Sequence, residues 1–334
     1  MNIHRRGYLM GVGAYLPKEI VKTRDLLEEV KSERFGVPVD FIERRIGIIE
    51  KRKAEEGSQP SDLAVTAGRV AINKAGISPL DIDCIIFCGI EGNWSEPATA
   101  LAVQNDLEAR NAILCFDVSN ACNGFLSGMY IADSLIAAGR IECALVVTGE
   151  KTSRQINSLM KLLKSCDDTE RFRNRVGALT VGDAGGAMVI GTSTNGIGFK
   201  KFNSVAEGQY HKMCWYKYDD NGNADGEMIM KEIAPTMKIL ETEMLRHTYK
   251  LLDWTADDVD CLVSHQIGKK YHAQIAELTG VPLEKCTKTY DLYGNLASAS
   301  IPVNLYLNPP KKGFNYLLIG GGASITIYHV GLRT

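Results

Sequence analysis

A chain of 334 residues is long enough to bury a large core, either as two ordinary domains or as one large duplicated α/β unit. Its 38 basic and 40 acidic residues leave a formal charge of −2 and form no basic stripe, which argues against nucleic acid as a partner and for small molecules. No apolar run approaches the roughly 20 residues of a membrane span; residues 1–13 lack the apolar core of a signal peptide, and nine cysteines without a disulfide framework point to reduced thiols in the cytoplasm.

Apolar periodicity predicts, in chain order, helix 62–74, strand 83–90, helix 98–108, strand 112–118, helix 122–138 and strand 144–148. A second series follows, with helix 233–251, strand 259–265, helices 271–278 and 298–307, and strands 316–319 and 325–330. Alternation of this kind indicates an α/β fold with helix-covered sheets. The run Asp81-Ile82-Asp83-Cys84-Ile85-Ile86 is echoed by Asp258-Val259-Asp260-Cys261-Leu262-Val263, each after a helix and a short turn, so the series read as an internal duplication. Two segments interrupt it: the charged residues 151–175, and residues 207–227, rich in Tyr, Asp, Asn and Gly. Both read as excursions over the sheet ends, serving as lids or as solvated decoration.

Cys122 is placed where strand 112–118 turns into helix 122–138. Unpaired N–H groups and the positive end of a helix dipole favour thiolate there, so this cysteine is a candidate nucleophile. The others lack that setting: Cys84, Cys88, Cys115, Cys143 and Cys261 fall in apolar strand-like runs, and Cys166, Cys214 and Cys286 in polar surroundings without metal-ligand spacing. Two further polar residues stand near element ends, His265 after strand 259–264 and Asn295 before helix 298–307. Taken singly, each has a structural explanation, as a small core residue, a satisfied buried histidine and a turn former.

Four ordered motifs change that balance: Asp117-Val118-Ser119-Asn120-Ala121-Cys122-Asn123-Gly124-Phe125, Ser264-His265-Gln266, Gly294-Asn295-Leu296-Ala297-Ser298-Ala299-Ser300 and Gly320-Gly321-Gly322. Together they resemble the thiolase-like condensing enzymes, in particular the β-ketoacyl carrier-protein synthase III type, over nearly the whole chain. The resemblance implies the thiolase fold, a duplicated five-layered αβαβα arrangement, with residues 1–191 carrying the cysteine and 192–334 carrying the histidine and asparagine. It also implies a homodimer, no bound cofactor, and acyl-coenzyme A or acyl carrier protein as substrate. In the family's terms Cys122 takes the acyl group, while His265 and Asn295 stabilise the enolate of the second substrate. The backbone N–H groups of Cys122 and Gly321 form the oxyanion hole. Phe41 and Arg175 match positions that sandwich an adenine, with a plain core Phe and a surface Arg as the alternative. The run Gly182-Asp183-Ala184-Gly185-Gly186 resembles a family turn whose glycines serve close backbone packing rather than phosphate binding.

Glu96 sharpens the reading. In the resemblance, the segment Asn93-Trp94-Ser95-Glu96-Pro97-Ala98-Thr99-Ala100 reaches from one subunit into the acyl tunnel of the other, and decarboxylating members carry an apolar residue at this position. A malonyl substrate makes its carbanion by losing carbon dioxide, whereas two ordinary acyl thioesters require removal of an α-proton, which a carboxylate can perform. The stretch therefore resembles the subgroup that joins acyl chains head to head in olefin and pyrone formation. The alternatives are Glu96 as part of a helix start, decarboxylative condensation with malonyl carrier protein, acyl transfer to an alcohol or amine, and a non-catalytic partner subunit of a heterodimer.

Overall fold

The computed structural model describes residues 5–111, 113–323 and 325–334. Two sheets carry the fold. The first has five strands in the order Arg6–Tyr15, Ala184–Ser193, Cys143–Glu150, Cys84–Phe87, Leu114–Asp117; the second has four, in the order Gly198–Ala206, Thr326–Arg333, Asn315–Gly322, Cys261–Ser264. In the first, Cys84–Phe87 runs parallel to Cys143–Glu150 and the next two strands alternate antiparallel. The second repeats this, with Cys261–Ser264 parallel to Asn315–Gly322 and antiparallel strands beyond.

Register makes the repeat residue-specific: Cys84 pairs with Ala144 and Cys261 with Tyr316. The echoed runs 81–86 and 258–263 thus occupy equivalent places. Even the fifth strand has a remnant, since Ile85 pairs with Cys115 and its counterpart Leu262 makes an isolated parallel bridge to Cys286. The chain passes from one sheet to the other between Ser193 and Gly198.

Helices fill three layers. Pro60–Ala75 lies on the outer face of the first sheet, and Gly13 and Gly149 allow the approach. A Cβ on Gly13 would meet the Ala67 carbonyl oxygen at 2.0 Å, and one on Gly149 that of Pro60 at 1.8 Å. Gly124–Ala137 and Ser300–Leu307 form the central layer, where Phe125, Leu126, Met129, Ile301 and Leu305 pack in one cluster between Ile86, Val146 and Met188 of the first sheet and Val263, Leu318 and Val330 of the second. Met230–Leu252 and Lys269–Thr279 cover the second sheet outside. Burying both faces of each sheet explains why their strands read as continuous apolar runs. This is the five-layered thiolase fold.

The predicted elements are present with shifted ends; helix 62–74 becomes Pro60–Ala75 and strand 316–319 becomes Asn315–Gly322. Ala112, the predicted start of a strand observed as Leu114–Asp117, lies outside the described residues. Residues 151–175 are not loop but two helices, Ser153–Ser165 and Thr169–Arg175, and residues 207–227 carry most of a hairpin, Cys214–Tyr218 against Ala224–Met228. Cys166 and Cys214 are buried, Cys166 within an apolar cluster, not in the polar surroundings expected of them. Among the described residues, no helix is long and apolar enough to cross a membrane.

Candidate active site

Cys122 sits in a short turn, Ala121–Asn123, that continues into helix Gly124–Ala137. Ala121 adopts φ +44, a left-handed conformation that costs a non-glycine residue about 1 kcal/mol and presents the next side chain at the helix mouth. Gly124 is required here, because a Cβ would stand 2.6 Å from the Cys88 carbonyl oxygen. The expectation of a thiolate is not met in the free chain. Burial, then Cys214 and Glu150, push the Cys122 thiol up to about 12, against the opposing backbone N–H groups of Ala323 and Cys122 itself. Nucleophilic attack therefore has to be coupled to loss of the proton.

His265 follows strand Cys261–Ser264 and is nearly inaccessible. Its backbone N–H donates to the Ile319 carbonyl at 2.8 Å, and ring Nε2 lies 3.0 Å from Asn295 Oδ1. Desolvation lowers its pKa, outweighing the raising effects of Asn295 and the Gly321 carbonyl, so the ring is neutral near pH 7. Asn295 is gripped by its backbone: its N–H donates to Thr180 O at 2.9 Å, and its carbonyl accepts from Gly182 N–H at 3.0 Å. Its Oδ1 also accepts from Ala297 N–H at 2.9 Å, so the amide NH2 takes no part in these anchors. Gln266, buried next to His265, accepts from the N–H groups of Thr289 and Tyr290 and donates to Thr287 O and Asn304 Oδ1. It joins the loop before Asn295 to the central helix.

Cys122, His265 and Asn295 open on one cavity of about 1120 Å³. Its walls include Val176, Met228, Ile233 and Met237; Phe41 also lines it, as do the basic residues Arg45, Arg173, Lys231 and Lys270. The sequence reading missed these cations, which a run of isolated Lys and Arg does not distinguish from surface charge. Both excursions contribute to the walls, through Thr169, Arg173 and Asn174 on one side and Cys214 on the other.

Two expectations need correction. Arg175 does not line this cavity: its guanidinium is buried against Asp225 at 2.9 Å and Glu227 at 2.8 Å, bracing one excursion to the other, and is not free to stack on an adenine. Gly321 turns its carbonyl toward His265, and the N–H beside the Cys122 sulfur with that of Cys122 belongs to Ala323, further along the same glycine turn. Glu96, expected to reach into the other subunit's tunnel, is exposed and lies outside the cavity of its own chain. Nor does Glu96 serve as the helix start: the first N–H groups of helix Thr99–Asp106 are taken by Asp117, Thr99 N to Oδ2 at 2.7 Å and Ala100 N to Oδ1 at 2.9 Å.

The profile of 3-oxoacyl-acyl-carrier-protein synthase III matches residues 116–208, and that of its C-terminal part residues 250–333. The β-ketoacyl-acyl-carrier-protein synthase III of Wolbachia pipientis subsp. Culex pipiens is 30% identical, covering 98% of this chain and 99% of its own. That of Oceanobacillus iheyensis is 31% identical, over 97% and 98%. Among solved structures, cerulenin-bound OleA of Xanthomonas campestris superposes with a TM-score of 0.91 at 25% identity, over 99% of this chain and 97% of that one. A glutamate-to-alanine variant of OleA gives the same TM-score and identity, over 99% of both.

Proposed function

The chain belongs to the β-ketoacyl-acyl-carrier-protein synthase III family of acyltransferases, and on that premise we propose that it joins two acyl thioesters head to head, without decarboxylation, the partner subunit's Glu96 acting as base. The observation that carries this reading is the position of Glu96. Its helix is capped by another residue, it makes no hydrogen bond or ion pair among the described residues, and it projects from an arm that also exposes Trp94. The helix after the arm packs on edge strand Leu114–Asp117, where Leu101 and Leu114 are also exposed. An open strand edge with apolar neighbours invites pairing with a second copy, which would carry the arm across to the other subunit.

In the first half-reaction the Cys122 sulfur attacks the thioester carbonyl and its proton leaves with the departing carrier thiol. The N–H groups of Cys122 and Ala323 hold the oxyanion. In the second, Glu96 removes an α-proton from another acyl thioester, and the enolate oxygen is held by His265 Nε2–H and the Asn295 amide. The carbanion attacks the acyl-enzyme carbonyl, a carbon–carbon bond forms, and the Cys122 thiolate leaves to be reprotonated. The cations beside Phe41 suit a carrier that bears phosphate.

The test is Glu96→Ala assayed with two substrate sets. Condensation of two alkyl thioesters should fall by about two orders of magnitude or more, acylation of Cys122 should persist, and condensation with malonyl thioester should be little changed. Wild-type condensation of two alkyl thioesters by this variant would overturn the assignment.

A further inference from the structure

A polar chain runs through the otherwise apolar packing behind the glycine turn. Glu241 of helix Met230–Leu252 and His329 of strand Thr326–Arg333 are both fully buried, with His329 Nε2 2.9 Å from Glu241 Oε2. On the far side, His329 Nδ1 lies 2.7 Å from Thr248 Oγ1, which accepts from Asn203 Nδ2 at 2.9 Å. On the near side, the Tyr271 hydroxyl donates to Glu241 Oε1 at 3.2 Å. Tyr271 lines the active-site cavity, and a Cβ placed on Gly321 would meet its Oη at 2.5 Å.

The donors in this chain have a fixed order. Asn203 uses an N–H on Thr248, the Thr248 hydroxyl pairs with His329 Nδ1, and His329 Nε2–H donates to Glu241 Oε2. Glu241 also receives the only proton of Tyr271. Burial, reinforced by the Glu241 charge, holds the Tyr271 phenol well above its ordinary pKa, so it does not ionise. Its oxygen is left with lone pairs only. Burying a carboxyl and an imidazole behind a cavity walled in part by Met, Ile and Val side chains costs desolvation energy that an alkyl chain could not repay, since apolar residues of the same volume would serve it as well.

We infer that Tyr271 is a specificity residue, and that the acyl chain taken by this enzyme carries a hydrogen-bond donor, a hydroxyl, close to its thioester carbonyl. The inference rests on the acyl-enzyme reading above and deepens it. A chain with a keto group at that point is a mismatch, because two acceptors would face each other, and a plain alkyl chain leaves the Tyr271 oxygen unpaired when water is displaced.

The test measures acylation of Cys122 by intact-protein mass, with butyryl-, 3-hydroxybutyryl- and 3-oxobutyryl-coenzyme A. Wild type should favour the hydroxyacyl over the alkyl chain by about tenfold in rate at limiting substrate, the effect of one buried hydrogen bond. In Tyr271→Phe that ratio should fall to about one while butyryl transfer persists, a within-variant comparison that misfolding cannot mimic. Glu241→Gln gives a sharper reading. Its Oε1 must accept from His329, so its Nε2 donates to Tyr271 and frees the phenol proton toward the cavity, and the preference should turn to the 3-oxo chain. Equal use of alkyl and hydroxyacyl chains by wild type would overturn the inference while leaving the acyl-enzyme reading intact. So would a uniform slowing of all three substrates in Tyr271→Phe, which would place the contact on the shared coenzyme A arm. No acylation by any thioester would instead remove the acyl-enzyme reading itself.

Discussion

Separating the proposed nucleophile and the proposed base into different chains tests the subunit-crossing arm proposed for Glu96. Cys122→Ala and Glu96→Ala proteins should each be inactive in condensing two alkyl thioesters. After equal mixing and full exchange, random pairing makes about half of all twofold dimers mixed, and each mixed dimer has one site of two in which an intact Cys122 faces an intact Glu96. Recovered activity should therefore be about a quarter of wild type at equal protein concentration, if the two sites act independently. Were Glu96 to serve its own chain, no pairing would restore a complete site and recovery would be nil. The exposure of Glu96, outside its own cavity, is what makes the first outcome the expected one. Native mass spectrometry should confirm the mixed species before thiol release and product mass are read. Full exchange with no regained activity would refute the argument.

Alanine at His265 or Asn295 should leave acylation of Cys122 substantial and lower condensation by about two to three orders of magnitude, separable by burst kinetics. Asp117→Ala removes both caps of helix Thr99–Asp106 and should lower stability by about 1–2 kcal/mol in denaturant unfolding. Because the cap also seats the arm, condensation should suffer more than acylation. Glu150, buried without a cation in hydrogen-bond contact, is raised from 4.5 to about 7, mainly by desolvation. A raised carboxyl pKa gives stability that is complete below the unfolded value and lost as pH rises through the folded one. Wild type should accordingly lose up to about 3 kcal/mol between pH 4.5 and 7, and Glu150→Gln should flatten that slope in pH-resolved unfolding.

The three polar residues that open on the cavity were legible because each stands at the end of an element that local patterning reveals. Cys122 opens a helix, His265 ends an apolar strand, and Asn295 follows Gly294, whose φ of +74 marks a break in the chain. Strands Arg6–Tyr15 and Ala184–Ser193 were hidden, since Gly7, Gly11 and Gly13 in one and Gly185, Gly186 and Gly191 in the other dilute the apolar alternation. Those glycines serve packing partners far away in sequence, such as Ala67 for Gly13 and Leu63 for Gly185. Arg175 was misread for the same reason. Nothing local shows that Asp225 and Glu227, some fifty residues on, would fold back onto it. The link from Tyr271 through Glu241 to His329 likewise exists only in three dimensions.

The duplication itself explains why one chain holds one site. By strand register, Gly320 and Gly322 are the counterparts of Thr148 and Glu150, and His265 that of Cys88. The turns Ala121–Asn123 and Ala297–Ala299 are also counterparts, each opened by an alanine with positive φ, which sets Ser298 opposite Cys122. Around Ser298 the space is filled: its hydroxyl sits within hydrogen-bond reach of both the Glu150 carboxyl and the Cys88 carbonyl, sharing its one proton between them, and Thr148 Oγ1 lies 2.7 Å from it. Around Cys122 the equivalent strand positions are Gly320 and Gly322, and their missing side chains make room for Asn123: a Cβ on Gly320 would run into Asn123 Oδ1, and one on Gly322 would stand 2.9 Å from Asn123 Nδ2. The same backbone, repeated, carries the cavity residues Cys122 and His265 at one place and a plugged polar core of a carboxyl and two hydroxyls at its counterpart. Glu150 then acts at a distance on the open site, since its charge raises the Cys122 pKa. A protonated Glu150 favours the thiolate more than an ionised one, so the filled half sets part of the electrostatics under which the open half reacts.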